Sequence, residues 1–398
     1  MTVESLERVE GAWQGAIEVP NSPLPIEIQF TKTDGTISIP VQGLDNYKLS
    51  SVKLKDDSIL LEMNMQGQRI TFDGKINDDT ISGTFTQNGS AIPFALKKGA
   101  LEVEEEIGEA VSVEVLNGTM KGLLVKPEGD GPFPVMIIIA GSGPTDHNGN
   151  SIAIPGKNNS LKMIAEGLAE QGIASIRYDK RGVGQNVLLA GKEEDVTFEH
   201  FIDDARAFVE FAKSDKQFSK VGIIGHSEGS LIGMVAAGKT NIDGFVSIAG
   251  AGRPIGEVLL EQLEAQLPEK LLTESKDILR KLAQGELVTN VSPELQSVFR
   301  PSVQPYMISW LAYNPAEEIQ KLNSKVLIIN GTNDIQVPVK DAEALYDAKV
   351  ASTLLLIKNM NHILKEAPAD VEGNLATYSD PNLPLAEGLL EGIVEFVK

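Results

Sequence analysis

Residues 221–238 read VGIIGHSEGSLIGMVAAG. An apolar, β-branched run leads into Gly225-His226-Ser227-Glu228-Gly229, and a second apolar stretch rich in small residues follows as far as Gly238. The first run has the composition of a strand buried on both faces, and the second has the length of a buried helix. A serine between them, with glycine two positions away on each side, belongs to a strand-to-helix turn tight enough to strain its backbone. Such a turn lifts Oγ over the sheet edge and aims the next helix N-terminus at any negative charge forming there. The pentad alone is a weak signal in a chain with 37 glycines. Its flanking strand and helix are what make Ser227 a candidate nucleophile.

The same rhythm extends on both sides. PVMIIIAG (134–141), IASIRYD (173–179), FVSIAGA (245–251), KVLIING (325–331) and TLLLIKN (353–359) are short apolar runs. Amphipathic segments of helical length, such as NSLKMIAEGLAEQG (159–172) and TFEHFIDDARAFVEFAKS (197–214), lie between most of them. Buried strands alternating with helices predict a doubly wound, mostly parallel α/β sheet over residues 111–398. The alternation lapses at about 254–322, where EVLLEQLEAQLPEKLLTESKDILRKLAQ reads as helices interrupted by Pro268. This predicts a helical insertion after FVSIAGA, placed over the C-terminal edge of the sheet where ligands bind in such folds. Leu259, Leu260, Leu263, Leu267, Leu271 and Leu272 are its apolar positions, and packing accounts for them.

Residues 11–98 follow a different period. PIEIQFTK (25–32), SILLEMNM (58–65), TISGTFTQ (80–87) and AIPFALKK (91–98) alternate apolar and polar residues, broken by TDG, DD and QNGS. That pattern predicts a small antiparallel barrel or sandwich with tight hairpins over 1–99. The acidic stretch ALEVEEEIGEA, 100–110, reads as a linker.

Bulk properties narrow the function classes. The formal charge is −21, from 35 Lys and Arg against 56 Asp and Glu. It disfavours nucleic-acid phosphates and anionic membrane surfaces. The absence of cysteine removes disulfides, thiolate metal sites and a cysteine nucleophile. No apolar run approaches the roughly 20 residues that span a bilayer, and the acidic start MTVESLERVE lacks the basic region of an export signal. A cytoplasmic location is expected, with export of a processed chain as the alternative. Four scattered histidines form no ligand spacing, so neither a metal nor a cofactor is expected. A small-molecule partner is expected rather than nucleic acid or a membrane interior, and a homodimer is allowed.

A serine hydroxyl needs a base, and only four histidines exist. His226 adjoins the serine and should leave the turn in another direction, packing it. His200 lies in an amphipathic helix and reads as a satisfied surface or interface residue. His147, in GSGPTDHNGN, sits in a loop that shapes the site without acting as base, and is a candidate substrate contact. His362, in NMNHILK, follows the last strand at the C-terminal edge and is the preferred base. Its orienting carboxylate is Asp334, in TNDIQVP after KVLIING, so that Ser227, Asp334 and His362 come in the order expected on a doubly wound sheet. Asp341 reads instead as a helix N-cap, and Asp179 as a turn residue. Oxyanion donors are expected at the backbone N–H of Glu228 and in the loop after PVMIIIAG, at Ser142 or Gly143. The glycine pattern of that loop fits neither a phosphate-binding nor a dinucleotide motif.

These residues resemble the α/β-hydrolase superfamily, and more narrowly bacterial two-domain carboxylesterases with an N-terminal β domain. The similarity is carried by GAWQGAIEV, AGSGPTDHNGN, IASIRYDKRGVGQ, GIIGHSEGS, RPSVQPYMISWLAYNPA and VLIINGTNDIQVP. It implies a serine esterase favouring small acyl groups, with Ser227, Asp334 and His362 as its triad. It also makes Tyr306 and Trp310, in RPSVQPYMISW, candidate walls of the substrate cleft. One departure is Ala140-Gly141 where many relatives carry His-Gly before the oxyanion loop. Two other functions use the same residues. A peptidase or thioesterase shares the triad, and Glu228 beside the serine offers a charge to attract a free amine. A noncatalytic binder would hold an apolar ligand on a retained hydrolase scaffold.

Overall fold

A computed structural model describes residues 6–19, 23–39, 44–65, 68–87, 89–99, 107–151, 156–264 and 266–398. The chain divides into two compact units, Met1–Glu106 with Ala153–Pro155 and Val183–Val187, and Ile107–Ile152 with Gly156–Gly182 and Leu188–Lys398. Of the acidic stretch 100–110, residues 100–106 lie outside the described residues, and Glu109 already opens a strand.

In the first unit nine antiparallel strands, from Gly11–Ile17 to Ser90–Lys98, form one sheet. The first strand pairs with the last, so the free edges, Leu44–Lys48 and Ser51–Lys55, are consecutive in sequence. Alternate side chains, among them Trp13, Ile28, Phe30, Phe72 and Phe94, meet in a single core. The DD hairpins turn through Asp56 and Asp78, both at positive φ, as two-residue turns matched to strand twist require.

The second unit holds an eight-stranded sheet: β1 (Glu109–Val115), β2 (Gly118–Val125), β3 (Phe133–Ile139), β4 (Ala174–Tyr178), β5 (Phe218–His226), β6 (Gly244–Ile248), β7 (Lys325–Gly331) and β8 (Thr353–Ile357). β1 and β2 form a hairpin, β2 pairs antiparallel with β4, and the remaining pairs are parallel in the order β4-β3-β5-β6-β7-β8. The α/β expectation is borne out. Successive residues of β3 face opposite ways, as strand geometry demands. Val135, Ile137 and Ile139 join a core that includes Phe198 and Ile202 of α2 (Phe198–Ser214) and Leu231 and Ile232 of α3 (Glu228–Lys239). Met136 and Ile138 join another, with Leu161 and Ile164 of α1 (Ser160–Glu170) and Leu389 and Ile393 of the helix Leu389–Val397.

The interruption at 254–322 is helical, with Ile255–Glu264 and Glu269–Leu282 separated at Pro268, and Gln304–Leu311 further on. Its leucines build a core of their own. Leu263 and Leu272 are buried with Ile278, Leu282, Phe299 and Met307, and Leu259, Leu260, Leu267 and Leu271 pack around them. Packing therefore accounts for these side chains.

The parallel register sets Ile139 beside Gly225, His226 beside Ile248, Ile248 beside Ile329, and Gly331 beside Ile357. The loops after β3, β5, β7 and β8 consequently leave from one edge. α3 crosses β3 so closely that a Cβ on Gly229 would lie 2.4 Å from the Ile139 carbonyl oxygen, and one on Gly225 would lie 2.3 Å from that of Gly229. Both obstacles are backbone and cannot rotate away. Gly229→Ala is expected to destabilise the second unit by about 2 kcal/mol or more, seen as a lower midpoint in thermal or urea unfolding. An unchanged midpoint would contradict this packing.

Candidate active site

The site starts from a strained turn. Ser227 has φ 54° and ψ −121°, a conformation that L residues rarely adopt and that costs roughly 1–3 kcal/mol. It is held by backbone bonds from Ser227 N to the Ile248 oxygen at 2.9 Å and from Ser230 N to the Ser227 oxygen at 3.0 Å. The glycines on either side give the backbone room to make the turn.

Asp334 comes from the loop after β7. Its Oδ1 accepts the backbone N–H groups of Gln336 at 2.8 Å and Val337 at 2.9 Å. Oδ2 meets Nδ1 of His362 at 2.8 Å, and Nε2 of the same ring lies 3.1 Å from Ser227 Oγ. The Asp334 side chain is 0% exposed and that of His362 7%. A carboxylate can only accept, so Nδ1 carries the ring proton and the Nε2 lone pair faces the serine hydroxyl. Such a chain can draw a proton from Oγ and stabilise the imidazolium that results.

The His362 loop is pinned from several elements. Asn333 N donates to the Met360 oxygen at 3.0 Å, Ser160 Oγ donates to the Ile363 oxygen, and Nε2 of His226 meets the His362 oxygen at 2.8 Å. His226 therefore does more than pack the turn: it is a strut beneath the base, its ring centroid 5.1 Å from that of His362. Burial, with the charge of His362 next in size, pushes its pKa down to about 4. Sequence reading missed this role because the contact spans 136 residues. Only the adjacency of a histidine to the serine hinted at it.

Glu228 opens α3, so its N–H is among the donors that a helix start leaves without an internal acceptor. The loop after β3 runs against the serine: a Cβ on Gly141 would lie 3.2 Å from Ser227 Cβ. Ser142 and Gly143 follow, both exposed. Their carbonyls accept Thr145 Oγ1 at 2.8 Å and Thr145 N at 2.9 Å, which steadies the loop's peptide planes.

The other predicted residues lie outside the Ser227–His362–Asp334 chain. Nδ1 of His147 and its backbone N–H meet Asp179 Oδ1 at 2.6 and 2.9 Å. Tyr306 and Trp310 are half-buried on the helix Gln304–Leu311, where Trp310 stacks on Phe198 at 5.5 Å and Tyr306 meets Phe201 edge-on at 5.7 Å. His200 is satisfied, its Nδ1 accepting Thr197 N at the start of α2.

Two expectations are corrected. Asp341 does not cap its helix: its carboxylate is fully buried, paired with Arg253 at 2.7 Å, and accepts Gly252 N at 3.0 Å. Glu228 is not free to attract an amine. Its side chain is 2% exposed, and Oε2 is paired with Lys180 Nζ at 2.7 Å. Both partners are remote in sequence, so neither pair was legible there. Among the described residues no group of three or more His, Asp or Glu could hold a metal ion, and no helix is long and apolar enough to cross a membrane.

The profile of the family described as "Serine aminopeptidase, S33" matches residues 157–366, more than half of the chain. The chain belongs to this α/β-hydrolase family. Esterase EstD of Thermotoga maritima is 30% identical over 284 residues, 67% of this chain and 65% of that protein, so the match leaves about a third of the relative uncovered. Est1E from Butyrivibrio proteoclasticus is similar in structure at 20% identity, covering 73% of this hydrolase and 99% of Est1E with a TM-score of 0.48. The esterase domain of a Rhodothermus marinus protein aligns at 17% identity over 73% of this chain and 99% of that one, with a TM-score of 0.43.

His226 also gives this hydrolase a pH signature. Folded, it stays neutral down to about pH 4, whereas unfolded it takes up a proton near 6.5. Its contribution to stability is complete above about pH 6.5 and is lost as pH falls towards 4, up to about 3 kcal/mol. The stability difference between wild type and His226→Gln in urea unfolding should shrink over that interval. A difference that stays constant would rule out the linkage.

Proposed function

We propose that this α/β-hydrolase is a serine carboxylesterase acting on small or short-chain acyl esters through an acyl-enzyme. The observation that carries the reading is the continuous chain from Asp334 Oδ2 through both nitrogens of His362 to Ser227 Oγ, at 2.8 and 3.1 Å.

In the proposed reaction Ser227 Oγ attacks the ester carbonyl while His362 Nε2 takes its proton, and Asp334 stabilises the imidazolium. The tetrahedral oxyanion is received by the N–H of Glu228 and by Ser142 or Gly143. Collapse expels the alcohol, which takes the proton from His362. Water activated by the same imidazole then attacks the acyl carbonyl and releases the acid and Ser227. Each step reuses one base. His147, Tyr306 and Trp310 are proposed as contacts of the substrate cleft.

The esterase relative supports an ester over an amide. So does the state of Glu228: with Lys180 at 2.7 Å, its charge offers little to a free amino terminus. Hydrolysis of p-nitrophenyl esters of increasing chain length, measured beside aminoacyl p-nitroanilides, tests the reading. Short esters should be preferred, and Ser227→Ala or His362→Ala should lower kcat by about 10⁴-fold or more. Preference for the anilides would favour a peptidase. Failure of a fluorophosphonate to label Ser227 would favour a noncatalytic scaffold.

Asp334→Asn should lower kcat by roughly 10³- to 10⁴-fold with little change in KM, because the amide no longer holds the required ring tautomer. Near-normal turnover in that variant would remove Asp334 from the triad.

A further inference from the structure

A buried charge pair stands beside the candidate nucleophile, and the reaction outlined above does not use it. Glu228 directly follows Ser227, and its side chain is 2% exposed. One oxygen, Oε2, meets Lys180 Nζ at 2.7 Å, while Oε1 is buried without a hydrogen-bond partner among the described residues. Lys180 is 4% exposed and lies 5.4 Å from the ring of Phe201. Its neighbours in sequence are engaged elsewhere, Asp179 with His147 and Arg181 with Asp204.

Burying two ions costs more than an exposed pair returns, so stability alone does not account for this pair. The backbone N–H of Glu228, at the start of α3, is the proposed oxyanion donor, while the carboxylate on the same residue would repel that charge. An uncompensated carboxylate on the residue next to the nucleophile would also favour a cationic base over the neutral one that the reaction needs. Among the described residues Oε1 has no donor, so the ammonium of Lys180 on Oε2 is what offsets the charge. Among the described residues, Asp334 at Nδ1 and the buried, neutral His226 adjoin the base, and Tyr378 lies near Asp334 with its hydroxyl accepting Gln336 Nε2 at 2.9 Å. Lys365 directs its Nζ to the Leu383 oxygen and Met163 Sδ.

We infer that Lys180 is a positioning residue for the reaction, cancelling the Glu228 carboxylate beside the oxyanion site so that His362 can serve as base and the oxyanion is not opposed. The inference rests on Ser227 being the nucleophile.

The test uses the full chain and its Glu228→Gln, Lys180→Met and doubly substituted forms, following the pH dependence of fluorophosphonate labelling and of p-nitrophenyl acetate turnover. Glu228→Gln leaves an unbalanced cation, so the acid limb of both profiles should move to lower pH. Lys180→Met leaves an unbalanced anion, so the limb should move to higher pH, with labelling on that limb slowed about threefold or more. Shifts of about half a pH unit or more are expected from one charge at this range. In the double variant the limb should return to its wild-type position. A merely structural pair would lower stability without moving the limbs in opposite directions, and that result would overturn the inference. If Lys180→Met does not fold, an unmoved limb in Glu228→Gln is sufficient to overturn it. Labelling of the wild type without ester turnover would overturn the esterase reading alone, whereas no labelling at all would remove the nucleophile and this inference together.

Discussion

The site depends on one backbone constraint, the left-handed turn at Ser227. A serine at φ 54° between a strand and a helix is tolerated only because Gly225 and Gly229 let α3 press against the ends of β3 and β5. The penalty is local, and the stabilisation comes from elsewhere. Every residue of α3 from Glu228 to Ala237 is buried, and the two sheet cores leave the turn no room to relax. Packing of the sheet thus holds Oγ at the edge in a conformation that a free peptide would leave at once.

The remaining groups reach Ser227 through loops, and each loop is restrained by contacts of its own. Asp334 is oriented by two N–H groups of its own turn, which leave a single oxygen for His362. The His362 loop is fastened by backbone and side-chain donors from the β7 loop, from Ser160 and from His226. Because these contacts are buried or half-buried, water competes with them little, and the imidazole needs no large rearrangement to meet the hydroxyl. The same low-dielectric setting makes charge balance matter, as at Glu228 and Lys180.

The helical insertion follows different rules from the sheet. Its leucines bury one another, and its link to the hydrolase core is aromatic, with Phe198 of α2 facing Tyr306, Trp310 and Tyr313. Arg253 adds an ionic tie, pairing with Asp341 and with Glu261 of the first helix of the insertion. Phe201, which touches Tyr306, also lies against Lys180, so the insertion and the turn at Ser227 are joined through a few side chains.

Sequence alone determined the layer architecture, the period-two N-terminal sheet, the helical insertion and the order of the candidate triad. Those features are written in local periodicity and in which residues can follow a strand, so VGIIGHSEGS and VLIINGTNDIQVP suffice to locate Ser227 and Asp334 at one sheet edge. What only the tertiary structure decided is which distant side chains meet. His226 bracing the carbonyl of His362, Lys180 paired with Glu228, and Asp341 turned to Arg253 rather than to its own helix end all join residues many positions apart. Composition leaves no trace of such contacts, because a lysine or a histidine reads the same in sequence whether its partner is water or a buried carboxylate. The fold decides between them by removing the water.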